Sequence, residues 1–228
     1  MLFPYMSGVN NRRKAMRKKI ISLLLVCILG TAVMSGCIKV VKIGEEGKLT
    51  GESEFNAGDN VAEFWESQAL PELQEKAVDL EEFLTESKGD LHALADVYGT
   101  YSMGASGEVS YTVKGTGTVE SVDTDSKAGT MTVTLAGYSG TEVVKLQVGT
   151  VIKGSSVRDS LSFIKFGDYT NQEDYAAVSQ SINDIIMQDV VSPDTARGME
   201  GKTVTFLGCF TVKDDTTILI TPVELTAE

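Results

Sequence analysis

The sequence predicts an α+β domain, and three observations carry that prediction. Apolar residues recur at helical spacing from Val61 to Leu84, whereas after Tyr98-Gly99 they fall into short β-like segments separated by turn residues. That series is interrupted once, after its third member, by a stretch with two helical patterns. N-terminal helices, three strands, a helical insert between strands 3 and 4, and two closing strands give the order of a five-stranded OB-like β-barrel, a small closed sheet that can bind oligomers across one face.

An export signal precedes the domain. Arg17, Lys18 and Lys19 follow Met16 and form a complete basic n-region, so translation can start at Met16 as well as at Met1. The apolar run from Ile20 to Val33 falls short of the ~20 residues of a spanning helix and suits a signal-peptide h-region. It closes on Val33-Met34-Ser35-Gly36-Cys37, which looks like the lipobox of bacterial lipoproteins, with Met34 where leucine is commoner. That resemblance implies a signal peptide over residues 1–36 and a diacylglycerol thioether on Cys37, the new N-terminus. At about 0.8 kcal/mol per buried methylene, two or more acyl chains anchor stably. The alternative is an ordinary cleaved secretory signal. The protein is expected outside the cytoplasm, tethered to a bacterial membrane in the periplasm or on the outer face of the cytoplasmic membrane.

The whole chain carries a net charge of −12, and every one of its 32 Asp and Glu lies beyond the signal. Such a surface repels nucleic acid and anionic lipid. Of the three cysteines, Cys27 leaves with the signal and Cys37 is lipidated, so Cys209 has no intramolecular partner. Its place in TVTFLGCFTV marks it as a small buried hydrophobe.

Residues 37–58 form the lipidated N-terminus and a Gly- and Glu-rich tether, in which KVVKI can also pair as an edge strand. The single domain spans 59–228, with a helical part over 59–99 and a barrel part over 105–226. Asp59 can cap a helix carrying Val61, Phe64 and Trp65. Pro71 suits the first turn of a second helix with Leu73, Ala77, Leu80 and Leu84 inward, and Asp90 can cap a short third. The acids Glu72, Glu75, Asp79, Glu81, Glu82 and Glu86 read for the most part as a solvated side, not as metal ligands. Strands are expected at about 107–122, 129–138, 142–152, 202–213 and 216–224, with turns at DTDSKAG, YSG and Asp214-Asp215.

The insert holds the candidate site. Ser155 and Ser156 can cap a helix in which Val157, Leu161 and Ile164 recur at helical spacing, placing Arg158 and Asp159 in its first turn. A guanidinium beside a carboxylate can hold a sugar hydroxyl or a partner carboxylate, and it can equally tie two parts of the fold together. Thr170 and Glu173 have capping-box spacing before a helix whose apolar face is Tyr175, Val178, Ile182, Ile185 and Ile186. Asn171 and Gln172 then lie where their amides can face a ligand or satisfy local backbone. Tyr169 and Tyr175 are the aromatic candidates for stacking beside them.

Several chemistries lack their residues. His92 is the single histidine, so histidine-based catalysis and histidine-rich metal sites have no partners for it, and neither a metal nor a cofactor is expected. Gly115-Thr116-Gly117 lies within a strand pattern and lacks the glycine-rich turn into a helix. Asp123-Thr124-Asp125 lacks the Gly and terminal Glu of a calcium loop. An enzyme would have to draw on carboxylates such as Asp159, Asp168 and Asp174.

The pattern F-x-A-x-x-x-V-x-x-x-W from Phe55 to Trp65, Pro71, Tyr98-Gly99, the stretch Leu146 to Tyr175, and GKTVTFLGCF before TPVEL resemble a family of uncharacterised, predicted periplasmic lipoproteins grouped as a domain of unknown function. The resemblance covers essentially all of the exported chain, and Arg158-Asp159 and Asn171-Gln172 are its most specific elements. It implies a companion of sugar-type ABC importers, binding a sugar or other small solute or a partner protein. The alternative is a structural or protein-interaction envelope lipoprotein without a small-molecule site. A direct sugar site requires Arg158, Asp159, Asn171 and Gln172 to converge on one pocket.

Overall fold

A computed structural model of the protein describes residues 55–102 and 107–228. Cys37 and the KVVKI segment lie outside the described residues.

The chain enters through α1 (Ala57–Phe64). Its cap is Asn56, whose side chain accepts from the Asp59 N–H at 3.2 Å, so the expected cap at Asp59 is three residues late. Two separate helices were expected, but α1 runs through a single wide turn, Trp65–Ala69, into α2 (Leu70–Lys76). Pro71 explains that turn. Its ring cannot continue a regular α-helix without meeting the carbonyl four residues back, and a π-type turn immediately before it opens the spacing. Trp65 and Ala69 on this turn are buried, as core residues.

The helical pattern then breaks at β1 (Val78–Asp79) before restarting as α3 (Leu80–Ser87). Asp79 causes the restart, because its side chain accepts from the N–H groups of both Glu81 and Glu82. A short α4 (Ala95–Tyr98) and β2 (Thr100–Tyr101) follow.

Five long strands form the body: β3 (Val109–Asp123), β4 (Thr130–Leu135), β5 (Val143–Gln147), β6 (Thr203–Thr211) and β7 (Thr217–Ala227). β5 is shorter than the expected 142–152; the other four follow their expected positions. β3 pairs antiparallel with β4, β4 with β5, β5 parallel with β7, β7 antiparallel with β6, and β6 antiparallel with β3. The pairings therefore return to the strand from which they start.

β3 makes this return possible. Residues 110–118 lie against β6 and residues 117–123 against β4, so the two partners overlap at Gly117-Thr118. A Cβ on Gly117 would stand 2.5 Å from the Thr134 carbonyl oxygen, which is why only glycine fits where β3 passes from one partner to the other. β1 and β2 also pair with β3, completing a seven-stranded mixed sheet.

The core lies on both sides of the first half of β3. Phe83 of α3 packs on Tyr111 and Phe210 at ring separations of 4.7 and 5.9 Å. The fully buried Tyr111 hydroxyl donates to the Leu91 carbonyl at 2.6 Å. Beyond Val113 the strand alternates, with Lys114, Thr116, Thr118 and Glu120 outward. Cys209 is fully buried beside Thr112, and burial pushes its thiol up to about 11.

Between β5 and β6 lies the insert: α5 (Ser156–Ser160), a 3₁₀ turn (Phe166–Asp168), α6 (Gln172–Asp189) and α7 (Pro193–Arg197). α5 packs on β3 and β6, and α6 packs on α1. No helix among the described residues is long and apolar enough to cross a membrane.

Candidate functional site

α5 ends at Ser160, although Val157, Leu161 and Ile164 are all buried as their spacing predicts. The helical turn supplies the first of these contacts, Leu161 follows it in extended backbone, and Ile164 lies beyond the next turn. Ser155 is the N-cap position, but its hydroxyl does not accept a backbone N–H. It donates instead to Asp159 Oδ2 at 2.6 Å.

Arg158 and Asp159 face each other inside the fold, 9% and 7% exposed. Arg158 Nε and Nη2 donate to Asp159 Oδ1 at 2.9 and 2.7 Å, and Nη1 donates to the Tyr175 carbonyl at 3.0 Å. The guanidinium carbon also sits 3.7 Å from the centre of the Tyr175 ring. A charge pair, a backbone bond and a cation–π contact thus join α5 to the first turn of α6. Burial raises the Tyr175 phenol above its ordinary range, with Arg158 opposing that shift.

α6 begins one residue later than its capping-box spacing suggests. Asn171 is the cap: its Oδ1 accepts from the Asp174 N–H at 2.8 Å, and its amide nitrogen donates to Asp174 Oδ2 at 3.1 Å. The Asn171 amide therefore satisfies local backbone. Gln172 beside it is exposed.

Among the described residues, the six candidates do not converge on one pocket. Arg158, Gln172 and Tyr175 border a cleft of about 520 Å³ together with Phe166 and Glu173. Asp159 borders a second cleft of about 470 Å³ on the other side of Phe166, and Tyr169 a third of about 320 Å³ against α1. The sugar site of four converging polar groups is thus not assembled, because Arg158 and Asp159 spend their strongest bonds on each other.

What connects the clefts is a run of rings that sequence spacing did not reveal. Phe166 meets Tyr175 at 5.4 Å, Tyr175 meets Tyr169 at 5.5 Å, and Tyr169 meets Phe55 at 5.6 Å. Phe55 and Phe166, at its two ends, are 40% and 38% exposed. Two other participants also escaped the sequence reading. Lys76 donates to the Ser160 carbonyl and pairs with Glu72 at 3.0 Å, and Glu72 accepts from the Ser162 N–H at 2.7 Å. Burial raises the Glu72 carboxyl, but the Ser162 and Lys76 donors outweigh it and hold the group below its usual value. Glu72 is therefore a clamp on the insert and not part of a solvated side.

Of the carboxylates on which an acid–base mechanism would draw, Asp159 is tied to Arg158 and Ser155. Asp168 and Asp174 border one cleft.

Among solved structures, an OB-fold protein from Thermotoga maritima is similar over 77% of this chain and 100% of its own, with a TM-score of 0.62 at 19% identity. That likeness concerns the fold alone. No curated protein matches the sequence. Residues 26–226 match the profile of the family described as predicted periplasmic lipoprotein (DUF2291), and the chain belongs to that family of extracytoplasmic, lipid-anchored proteins.

Proposed function

We propose that the protein is an accessory module of a sugar-type ABC importer, anchored through a lipid on Cys37, built on a closed five-stranded OB-like barrel, and presenting the insert to the importer or its solute. One observation carries this reading. The buried Arg158-Asp159-Tyr175 knot fixes α5 to α6 and leaves Phe166, Gln172 and Glu173 exposed around an open cleft. A rigid support beneath exposed aromatic and amide groups suits recognition, since little ordering entropy remains to be lost on binding. The ring of strand pairings supports the barrel.

A photo-crosslinking residue at Gln172, with one at exposed Thr85 on α3 as control, tests the role in cells. The expected result is a crosslink from position 172, absent from position 85, to a membrane-embedded importer subunit or its solute receptor. Identical patterns at the two positions, or unchanged sugar uptake in a strain lacking the protein, would overturn it. The second reading, an envelope lipoprotein with a purely structural or protein-binding role, is favoured by the internal pairing of Arg158 with Asp159. It predicts that no pentose, hexose, nucleoside or oligosaccharide raises the unfolding midpoint of the protein.

A further inference from the structure

The third cleft, between α1 and the loop leading into α6, has a chemistry of its own. Its apolar walls are Phe55, Phe64, Phe163 and Tyr169. These rings stand in two edge-to-face pairs, Phe55 with Tyr169 at 82° and Phe64 with Phe163 at 79°. Rings set at right angles and in contact leave a corner bounded by ring faces, and the face of an aromatic ring attracts positive charge.

The polar groups at the same cleft match that preference. Asp168 and Asp174 line it, and no lysine, arginine or histidine does so among the described residues. One Asp174 oxygen is occupied by the Asn171 amide, which leaves the other as an acceptor. Asn60 also lines the cleft, and its Oδ1 is shielded from water without a hydrogen-bond partner among the described residues. The guanidinium of Arg158 does not line this cleft and is neutralised by Asp159. At about 320 Å³ the space falls at the lower end of small-ligand pockets, which run to roughly 300–1,000 Å³.

We propose that this cleft binds a small organic cation, an ammonium or quaternary ammonium group seated in the corner that the perpendicular rings of Phe55 and Tyr169 form and balanced by Asp168 and Asp174. Cation binding at this cleft is independent of the importer. It concerns a different cleft from the one flanked by Gln172, and it selects for positive charge where a sugar site selects for hydroxyl groups. An anion finds no counter-charge among the described residues here, and an uncharged solute of the same shape forgoes the attraction of both the ring faces and the carboxylates.

The test is calorimetric titration of the full lipoprotein, purified in a polyoxyethylene detergent, with matched pairs of probes. The pairs are choline against its uncharged isostere dimethylbutanol, and n-butylammonium against n-butanol. The expected result is saturable binding of at least one cation, about tenfold or more tighter than its neutral counterpart. Phe55→Leu, at an exposed position, keeps an apolar side chain but removes a ring and should weaken the cation by about two- to fivefold. Asp168→Asn, also exposed, should weaken it without altering the unfolding midpoint. Equal affinity for cation and isostere would show an apolar pocket without charge selection and overturn the proposal. So would failure of both cations to bind, or cation binding that neither variant changes.

Discussion

Replacing Arg158 with alanine is the most informative single perturbation. The change removes three hydrogen bonds of 2.7–3.0 Å and the contact with the Tyr175 ring, and it leaves the Asp159 carboxylate 7% exposed with only the Ser155 hydroxyl for company. Breaking one side of a buried ion pair costs about 3–5 kcal/mol, most of it the penalty of the stranded charge. In a domain of this size each kcal/mol moves the midpoint by about 2–4 °C, so the expected fall is roughly 6–20 °C. The assay is thermal unfolding followed by far-UV circular dichroism, with urea midpoints as a second measure. The companion variant Arg158→Leu/Asp159→Leu removes both charges and should recover a large part of the loss, since no charge is then stranded. Arg158→Ala within about 0.5 kcal/mol of the parent would refute the reasoning, because surface substitutions have effects of that size. A double variant no more stable than the single one would refute it as well.

Other outcomes follow from the same geometry. Gly117→Ala should cost about 1–3 kcal/mol in urea unfolding, since the added Cβ meets the Thr134 carbonyl at 2.5 Å and Val133 Cγ1 at 2.7 Å. Asn171→Ala should cost about 1 kcal/mol through the lost cap, whereas Thr170→Ala should stay within about 0.5 kcal/mol; the reverse order would restore the capping box at Thr170. Cys209 should resist alkylation by iodoacetamide at neutral pH until the protein unfolds. Its thiol is raised from 9.0 to about 11 in the folded state, so the stability it contributes is complete below pH 9 and lost as pH rises from 9 to 11. Cys209→Ala should flatten that alkaline limb, and an unchanged limb would show that other groups produce it.

The strands were legible because each combines β-rich residues with a turn that has its own chemistry. Asp214, for example, accepts from Thr216 and Thr217 to close the last hairpin. Order along the chain also anticipated the helical insert. What local pattern could not supply is partner choice. The parallel pairing of β5 with β7, and the two-residue strands β1 and β2, are tertiary facts with no periodicity of their own.

At the site, adjacency in sequence was enough to pair Arg158 with Asp159, but not to reveal that Tyr175 lies under the guanidinium. Periodicity reports burial rather than dihedral angle, so Leu161 and Ile164 read as helix while lying beyond its end. Glu72 and Lys76 stand in a helical pattern where charges are normally solvated, and only the fold brings Ser160 and Ser162 to them.

The double duty of β3 has a consequence for how the protein is made. Ser110 pairs with Thr211, so the strand that emerges first among the five long ones waits for one almost at the end of the chain. A protein delivered N-terminus first across a membrane therefore cannot complete its sheet until nearly all of it has crossed. Until then residues 110–118 of β3 offer an unpaired edge that includes Tyr111, Thr112 and Val113, the kind of surface that invites association with other chains. Contacts so distant in sequence also slow folding, because the intervening loop must be closed before they form. Between translocation and completion of the sheet, that open strand edge is accessible to proteases and to pairing with other chains.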